Sequence, residues 1–369
     1  MKIDMVELYH VRMPLLQPFR TALGEMKDVH SVLVKMTSGD KYGWGETTPF
    51  KEPVFSPEWA GGAFLLMKEF LAPLIIGRNI EGADQLVQLL DRFRGNPFAK
   101  AGLESAWWVL KAKIEGVPLH RMLGGESRPI TVGADLGVQD NIDMLLKQIG
   151  HAIDEGYPRV KLKFRPGLDI SILKAVRDAF PNYTFHIDCN ASFTLKHLDL
   201  FQKIDRLELA MIEQPLHHTD LIDHAELQRH IETPICLDES INGVKAAEDA
   251  VRFKSCRYMN VKIGRVGGIL NAVRIHDLCQ KADIPCWVGG MFESAVGSGI
   301  SAELATLPNF KYPADVFPSK AFYIEDLSSP EITLCAPGKI DVSKVPGIPY
   351  EPREEMLKRY TVDKAVIKP

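Results

Sequence analysis

The sequence predicts an α/β protein: a modified (β/α)7β barrel of the TIM type carrying an α+β capping domain. Three observations lead there. The first 125 residues mix alternating strand patterns with long helical ones. From residue 126 onward, short β-rich runs alternate regularly with amphipathic helical stretches, the mark of βαβ units and a parallel sheet. No G-x-G-x-x-G follows any of these runs, which favours a barrel over an open doubly wound sheet.

At the N-terminus, "IDMVELYHVRM", "SVLVKMTSGD" and "YGWGETT" read as strands with turns, and residues 57–94 as helical. "NPFAKAGLESAWWVLKAKIEG" (96–116) is a helix with Pro just after Asn96 and a stop at Gly116. Residues 1–125 are therefore expected to form the cap and 126–324 the barrel. Residues 325–369 are Pro-rich, with a short strand, and are expected to pack back on the cap. The barrel strands are expected within 130–138, 159–164, 184–190, 209–215, 233–240, 257–264 and 284–290.

Composition narrows the function classes. Hydrophobic residues make up 46% and charged ones 25%, enough apolar material for a large core. A net charge of −4 and the absence of a dense Lys/Arg block argue against a nucleic-acid surface. No apolar run is long enough to span a membrane, and the N-terminus lacks the apolar region of a secretory signal. The six cysteines include no C-x-x-C and read as buried thiols in a reducing compartment, neither a disulfide framework nor a zinc site. A cytoplasmic, homo-oligomeric protein with no membrane or nucleic-acid partner is expected.

The chemistry lies in one spacing. Lys163, Asp188, Glu213, Asp238 and Lys262 stand near the C-terminal ends of successive strands, at intervals of 25, 25, 25 and 24 residues. Barrel active sites form at that face, so the spacing gathers five ionisable groups around one mouth. A lone Asp at a strand end is commonly a turn former, and a lone strand lysine is commonly exposed. An evenly spaced set of five calls for a joint explanation. Three converging carboxylates repel unless a cation joins them. Oxygen-only ligands select Mg²⁺, with Mn²⁺ as the alternative. Asp188, Glu213 and Asp238 are thus the candidate metal ligands. Lys163 and Lys262 flank them as candidate bases, expected to have depressed pKa values beside other cations. The implied reaction is removal of a proton α to a carboxylate on a small-molecule substrate, with the developing oxyanion stabilised by the metal. In "RVKLKF" (159–164), Lys161 shares a face with Lys163. It is expected to hold the substrate carboxylate and to lower the pKa of Lys163. Asn190 and Glu239 read equally as support for the ligands or as loop caps. Cys189 and Cys236 read as core packing.

These residues resemble the enolase superfamily, in particular its muconate-lactonising subgroup. K-x-K at 161–163, D-x-N at 188–190, "IEQP" (212–215), "LDES" (237–240) and "VKIGRVGG" (261–268) stand in that order. With "GWGE" (43–46), "AKAGLESAWW" (99–108) and "GGMFES" (289–294), the chain is most similar to the o-succinylbenzoate synthase / N-succinylamino acid racemase family. The resemblance implies Lys163 and Lys262 as the acid/base pair and Asp188, Glu213 and Asp238 as Mg²⁺ ligands. It implies that Arg265 tunes Lys262 and that "PFRTALG" (18–24) covers the substrate. Phe19, Asp135, Met291 and Phe292 are the implied substrate contacts. The implied activities are a dehydration in menaquinone synthesis, racemisation of N-acylamino acids, or both.

The chain departs from the family's pattern at several positions. It has Asp135 where serine is usual, "DCNA" for D-A-N-S, and Val109 for an aspartate. "AVGSGIS" (295–301) lacks the usual arginine and asparagine, and "GGMFES" lacks the D-x-D of dipeptide epimerases. Asp135 would disfavour an anionic tail nearby, which opens racemisation or cycloisomerisation of another carboxylate. A catalytically silent binding protein on the same fold is a further alternative. A Schiff-base aldolase would not need three carboxylates.

Overall fold

The structure, a computed structural model, describes residues 1–21 and 24–369. Three strands open the chain: β1 (Met5–Thr21), β2 (Gly24–Ser38) and β3 (Lys41–Thr47), paired antiparallel in sequence order. Their alternation serves two cores. Val6, Leu8, Val32, Val34 and Met36 face the cap helices and share a cluster with Leu103, Trp107 and Leu110 of the helix Pro97–Glu115. Tyr9, Val11, Met13, Val29 and Leu33 face the other way, into the main core. A sheet buried on both faces needs near-continuous apolar strands, which explains the "SVLVKM" run.

The strand expected over 130–138 is divided. β4 (Ile130–Thr131) belongs to a small antiparallel sheet, and β5 (Ala134–Leu136) opens the barrel. The barrel continues with β6 (Arg159–Lys163), β7 (Thr184–Asp188), β8 (Ile212–Glu213), β9 (Ile235–Leu237), β10 (Tyr258–Val261) and β11 (Cys286–Val288). All seven run parallel in sequence order, with a helix following each. The ring closes through the eighth stave that a (β/α)7β barrel requires, at a place not among the expected strands. Residues 310–315 bridge Cys286 through Phe310 on one side and Val132 through Ala314 on the other. Asp315 N donates to Val288 O (2.8 Å), and Gly133 N to Ala314 O (3.0 Å). The result is a (β/α)7β ring.

Met211, Cys236 and Trp287 form an apolar plug within the barrel, against Tyr258 and Tyr312. The C-terminal segment is more structured than expected and serves both units. β12 (Ser328–Ser329) pairs with β15 (Glu351–Pro352), while β13 (Leu334–Ala336) and β14 (Lys339–Ile340) join β4. β16 (Thr361–Ile367) pairs with β1 on the edge of the cap sheet. Five cysteines are buried, but Cys335 on β13 is exposed, contrary to expectation. Among the described residues no helix is long and apolar enough to cross a membrane.

Buried carboxylates tie cap to barrel. Glu46 of β3 accepts from Ser294 N (3.1 Å), Ser294 Oγ (2.6 Å) and Gly297 N (3.0 Å), at the start of the helix Ala295–Leu304. Glu104 accepts from Ile269 N (2.7 Å) and Leu270 N (2.9 Å), at the start of the helix Ile269–Lys281. Such N–H groups lack intrahelical partners, so each carboxylate fills a role the helix requires. Gly268 (φ +124°) makes the approach available, because a Cβ there would lie 2.7 Å from Glu104 Oε2.

Candidate active site

Strand register places the predicted groups. Asp135 stands opposite Lys161 across β5–β6, Lys163 opposite Asp188 across β6–β7, and Asp188 opposite Glu213 across β7–β8. Asp238 follows the last residue of β9, and Lys262 the last of β10. All five spaced residues therefore sit at the C-terminal rim of one barrel. A cavity of about 460 Å³ lies over them, between barrel and cap. Asp135, Lys161, Lys163, Asp188, Asn190 and Lys262 line its inner wall, while Glu213 and Asp238 lie beneath, fully buried. Backbone in the left-handed region marks the turns around the mouth, at Asn190 (φ 42°), Gln214 (φ 37°) and Phe292 (φ 60°). Strain of this kind persists where the surroundings hold it, as around functional sites.

The charges alternate around the ring. Lys163 Nζ lies 2.8 Å from Asp188 Oδ2 and 3.3 Å from Asp135 Oδ2. Lys161 Nζ lies 3.2 Å from Asp188, 3.0 Å from Glu213 and 3.3 Å from Asp315. On the far side, Lys262 Nζ is 3.0 Å from Asp238 Oδ2, and Arg265 Nη1 bonds Asp238 Oδ1. Arg265 thus meets Lys262 through a shared carboxylate, and its other nitrogens donate to Ile241 O (2.9 Å) and Asn260 O (2.7 Å). Asn190 donates to both oxygens of Asp188 (2.9 and 3.0 Å) and to Glu239 (3.3 Å). It therefore spans Asp188 and Glu239.

These contacts reverse one expectation. Burial alone would lower the lysines, but Asp135 and Asp188 outweigh it at Lys163, and Asp188 with Glu213 does so at Lys161. Both are held above the ordinary ammonium range, and the repulsion between them is a smaller influence. Strand register brings more carboxylates beside the two lysines than their own adjacency in the sequence suggests. Burial would raise Asp188 and Asp238. Lys161 and Lys163 hold the first below the usual carboxylate range, and Arg265 with Lys262 holds the second there. Glu213 goes the other way, pushed up to about 7 by burial and by Asp188. Burial also raises Asp135, against the pull of Lys163.

Several members escaped the sequence reading. Asp315 sits on the closing stave, where it binds Lys161 and takes 2.5 Å from the buried Arg159. Asn260 Nδ2 donates to Glu213 Oε1 (2.8 Å), and His186 Nε2 stands 3.4 Å from Glu213 Oε2. Asn260 and His186 each lie two residues before a predicted site residue, so period-2 alternation pointed to them. Asp315 carried no such signal: its stave is held by bridges and contains Pro313. Gln214 of "IEQP" orders the next strand end, accepting from Asp238 N (2.9 Å) and Ser240 N (3.1 Å).

Asp188, Glu213 and Asp238 supply only oxygen donors, the set that suits a hard divalent ion. Among the described residues no three His, Cys, Asp or Glu groups are already arranged to hold a metal, because each of these carboxylates is turned to a cationic side chain. Asp188 and Glu213 already share one cation, the Lys161 ammonium, which lies 3.0 Å from Glu213 Oε2. The residues fit Mg²⁺ in donor chemistry and in their capacity to share a positive centre.

Among the predicted substrate contacts, Asp135, Met291 and Phe292 line the cavity. Phe19 packs edge-on to Phe292 (4.8 Å between centroids) and lies 6.0 Å from Lys163 Nζ. Within "PFRTALG", residues 18–21 belong to β1 and Gly24 to β2, with Phe19 paired to Met26; Ala22 and Leu23 lie outside the described residues. The stretch 295–301, which departs from the family's pattern, begins a buried helix against β3 and does not line this cavity. Its small side chains serve close packing: a Cβ on Gly299 would come 2.2 Å from the Tyr350 ring.

Comparison with known proteins identifies the family. Residues 4–124 match the family described as mandelate racemase / muconate lactonizing enzyme, N-terminal domain, and residues 144–356 the one described as enolase C-terminal domain-like. A crystal structure of an enolase-superfamily member from Listeria innocua superposes with a TM-score of 0.95 at 36% identity, covering 100% of this chain and 99% of that one. The chain belongs to the enolase superfamily. It is 40% identical to the o-succinylbenzoate synthase of Geobacillus kaustophilus over 360 residues, 97% of this chain and 96% of that protein. It is 38% identical to the N-succinylamino acid racemase of Thermus thermophilus over 365 residues, 98% and 99% of the two. Within the superfamily it is thus an enzyme of the o-succinylbenzoate synthase / N-succinylamino acid racemase family, whose named members include a lyase and an isomerase.

Proposed function

We propose that the enzyme removes and returns a proton at the carbon α to a carboxylate, with N-succinylamino acid racemisation, o-succinylbenzoate synthesis or both as its activities. The observation that carries this reading is the placement of two lysines, at the ends of β6 and β10, on one cavity over three carboxylates. Asp188, Glu213 and Asp238 would hold Mg²⁺, which supplies positive charge for the oxygen that becomes anionic as the proton leaves. Lys161, beside Asp188, is positioned to bind the substrate carboxylate. Asp188 is one of the two carboxylates that hold the proton on Lys163, so its engagement with the ion would free that amine to take the α-proton from one face, while Lys262 delivers one to the other. For dehydration, Lys163 serves first as base and then as acid to the leaving hydroxyl, while Lys262 stabilises the anion. Asp188 and Asp238 each contact one of the two lysines, so the residues that hold the ion also set the positions of the bases. Phe19, Phe50, Phe55 and Phe292 enclose the site, and excluding water strengthens every charge interaction within it. Lys51 on the cap side of the cavity suits an anionic acyl tail.

The test is hydrogen exchange. With Mg²⁺ and an N-succinylamino acid in D₂O, deuterium is expected at the α-carbon by proton NMR. If neither exchange nor synthase turnover occurs, the substrate assignment is wrong.

A further inference from the structure

The geometry points to Asp135 as the acceptor for the amide N–H of an N-acylamino acid, making it a specificity-determining residue that favours racemase substrates. This rests on the proton-transfer reading above. Asp135 is on β5, beside the strand of Lys163, and its side chain is only 6% exposed. Oδ2 faces Lys163 at 3.3 Å, whereas Oδ1 is buried and accepts no hydrogen bond from the described residues, although the residue lines the cavity. A buried carboxylate oxygen without a donor is costly, and the described residues supply none here. The occupant of the cavity is left to supply it.

The chemistry of the occupant decides which donor. Lys163 must reach the α-hydrogen, and Asp135 touches Lys163, so Asp135 faces the substituents of the α-carbon. One of these is the reacting carboxylate, which an anion repels. The side chain varies from substrate to substrate. The amide N–H is the donor that every N-acylamino acid carries at that carbon. The dehydration substrate has its hydroxyl one carbon further away and no N–H. Asp135 therefore weights the pocket toward the amide, and its negative charge directs an anionic acyl tail away from β5.

The experiment compares an N-acylamino acid with the ester in which oxygen replaces that N–H. Both are assayed for α-exchange in D₂O with Mg²⁺, in the wild type and in Asp135→Ala. The intrinsic difference in α-acidity cancels in the ratio of ratios. The wild type should prefer amide over ester by about tenfold or more beyond the preference of Asp135→Ala, as expected for a charge-assisted hydrogen bond. A purely structural role would slow both substrates alike. Should Asp135→Ala fail to fold, the isosteric Asp135→Asn should show a smaller change in the same direction. Exchange with an unchanged ratio overturns the inference alone. No exchange from either substrate in the wild type overturns the reading of the reaction, and the inference with it.

Discussion

Carboxylates are buried in two regions of this molecule, and they are satisfied in opposite ways. At the barrel mouth, Asp188 and Asp238 face ammonium and guanidinium groups and lie below their ordinary pKa. Where the cap meets the barrel, and within the cap, Glu46, Glu58 and Glu104 accept from backbone N–H groups at helix starts. These three are raised, chiefly by burial, Glu58 to about 6 and Glu104 to about 7. The difference is instructive. A cation on the end of a side chain can give way to a divalent ion, whereas a helix N-terminus cannot leave. The mouth is built for exchange of partners, and the cap junction for permanence.

The largest effect should come from the mouth. Lys163→Ala and Lys262→Ala should each abolish exchange from one enantiomer, by ~10²–10⁴-fold, and spare initial exchange from the other. Equal loss from both enantiomers in both variants would break the two-base assignment. Chelation should come next: exchange stops, returns with Mg²⁺, and the melting midpoint rises on titration. At 100-fold excess over Kd the gain is ~2.7 kcal/mol. That increment should survive Glu104→Ala, which touches only the cap junction; its loss there would mean that the two regions are coupled. Glu104→Ala itself leaves Ile269 N and Leu270 N without their acceptor and should cost ~1–3 kcal/mol in denaturant unfolding.

The smallest effect is a pH slope. Glu104 stands at about 7 folded against 4.5 as its ordinary value, so the folded state keeps a proton that the unfolded state releases. Its contribution is complete below pH 4.5 and is lost as pH rises through about 7. The stability difference between wild type and Glu104→Gln should therefore shift against the wild type from pH 5 to pH 8. A difference independent of pH would contradict the raised value.

Much of this was legible in sequence because barrel geometry repeats. A spacing of 24–25 residues brought Lys163, Asp188, Glu213, Asp238 and Lys262 to one rim, and alternation turned Lys161 inward. What stayed hidden depends on register between distant segments. Asp135 can be placed beside Lys163 only once β5 is paired with β6, and the run 130–138 hides a change of sheet. The closing stave has neither the length nor the apolar alternation of a strand. The raised position of Lys163 was hidden for the same reason, since only pairing puts Asp135 beside it.

Asp315 has a consequence for how this pocket can change over evolutionary time. It belongs to the stave that completes the ring, neutralises the buried Arg159, and holds Lys161 at the barrel mouth. Drift at position 315 would be penalised twice, once in folding and once in turnover. Asp135 carries no comparable ring-closing duty, and the Met291 side chain that lines the cavity is uncharged. New substrate preferences are therefore more accessible along the β5 wall and the 291–292 turn than along the stave that closes the circle.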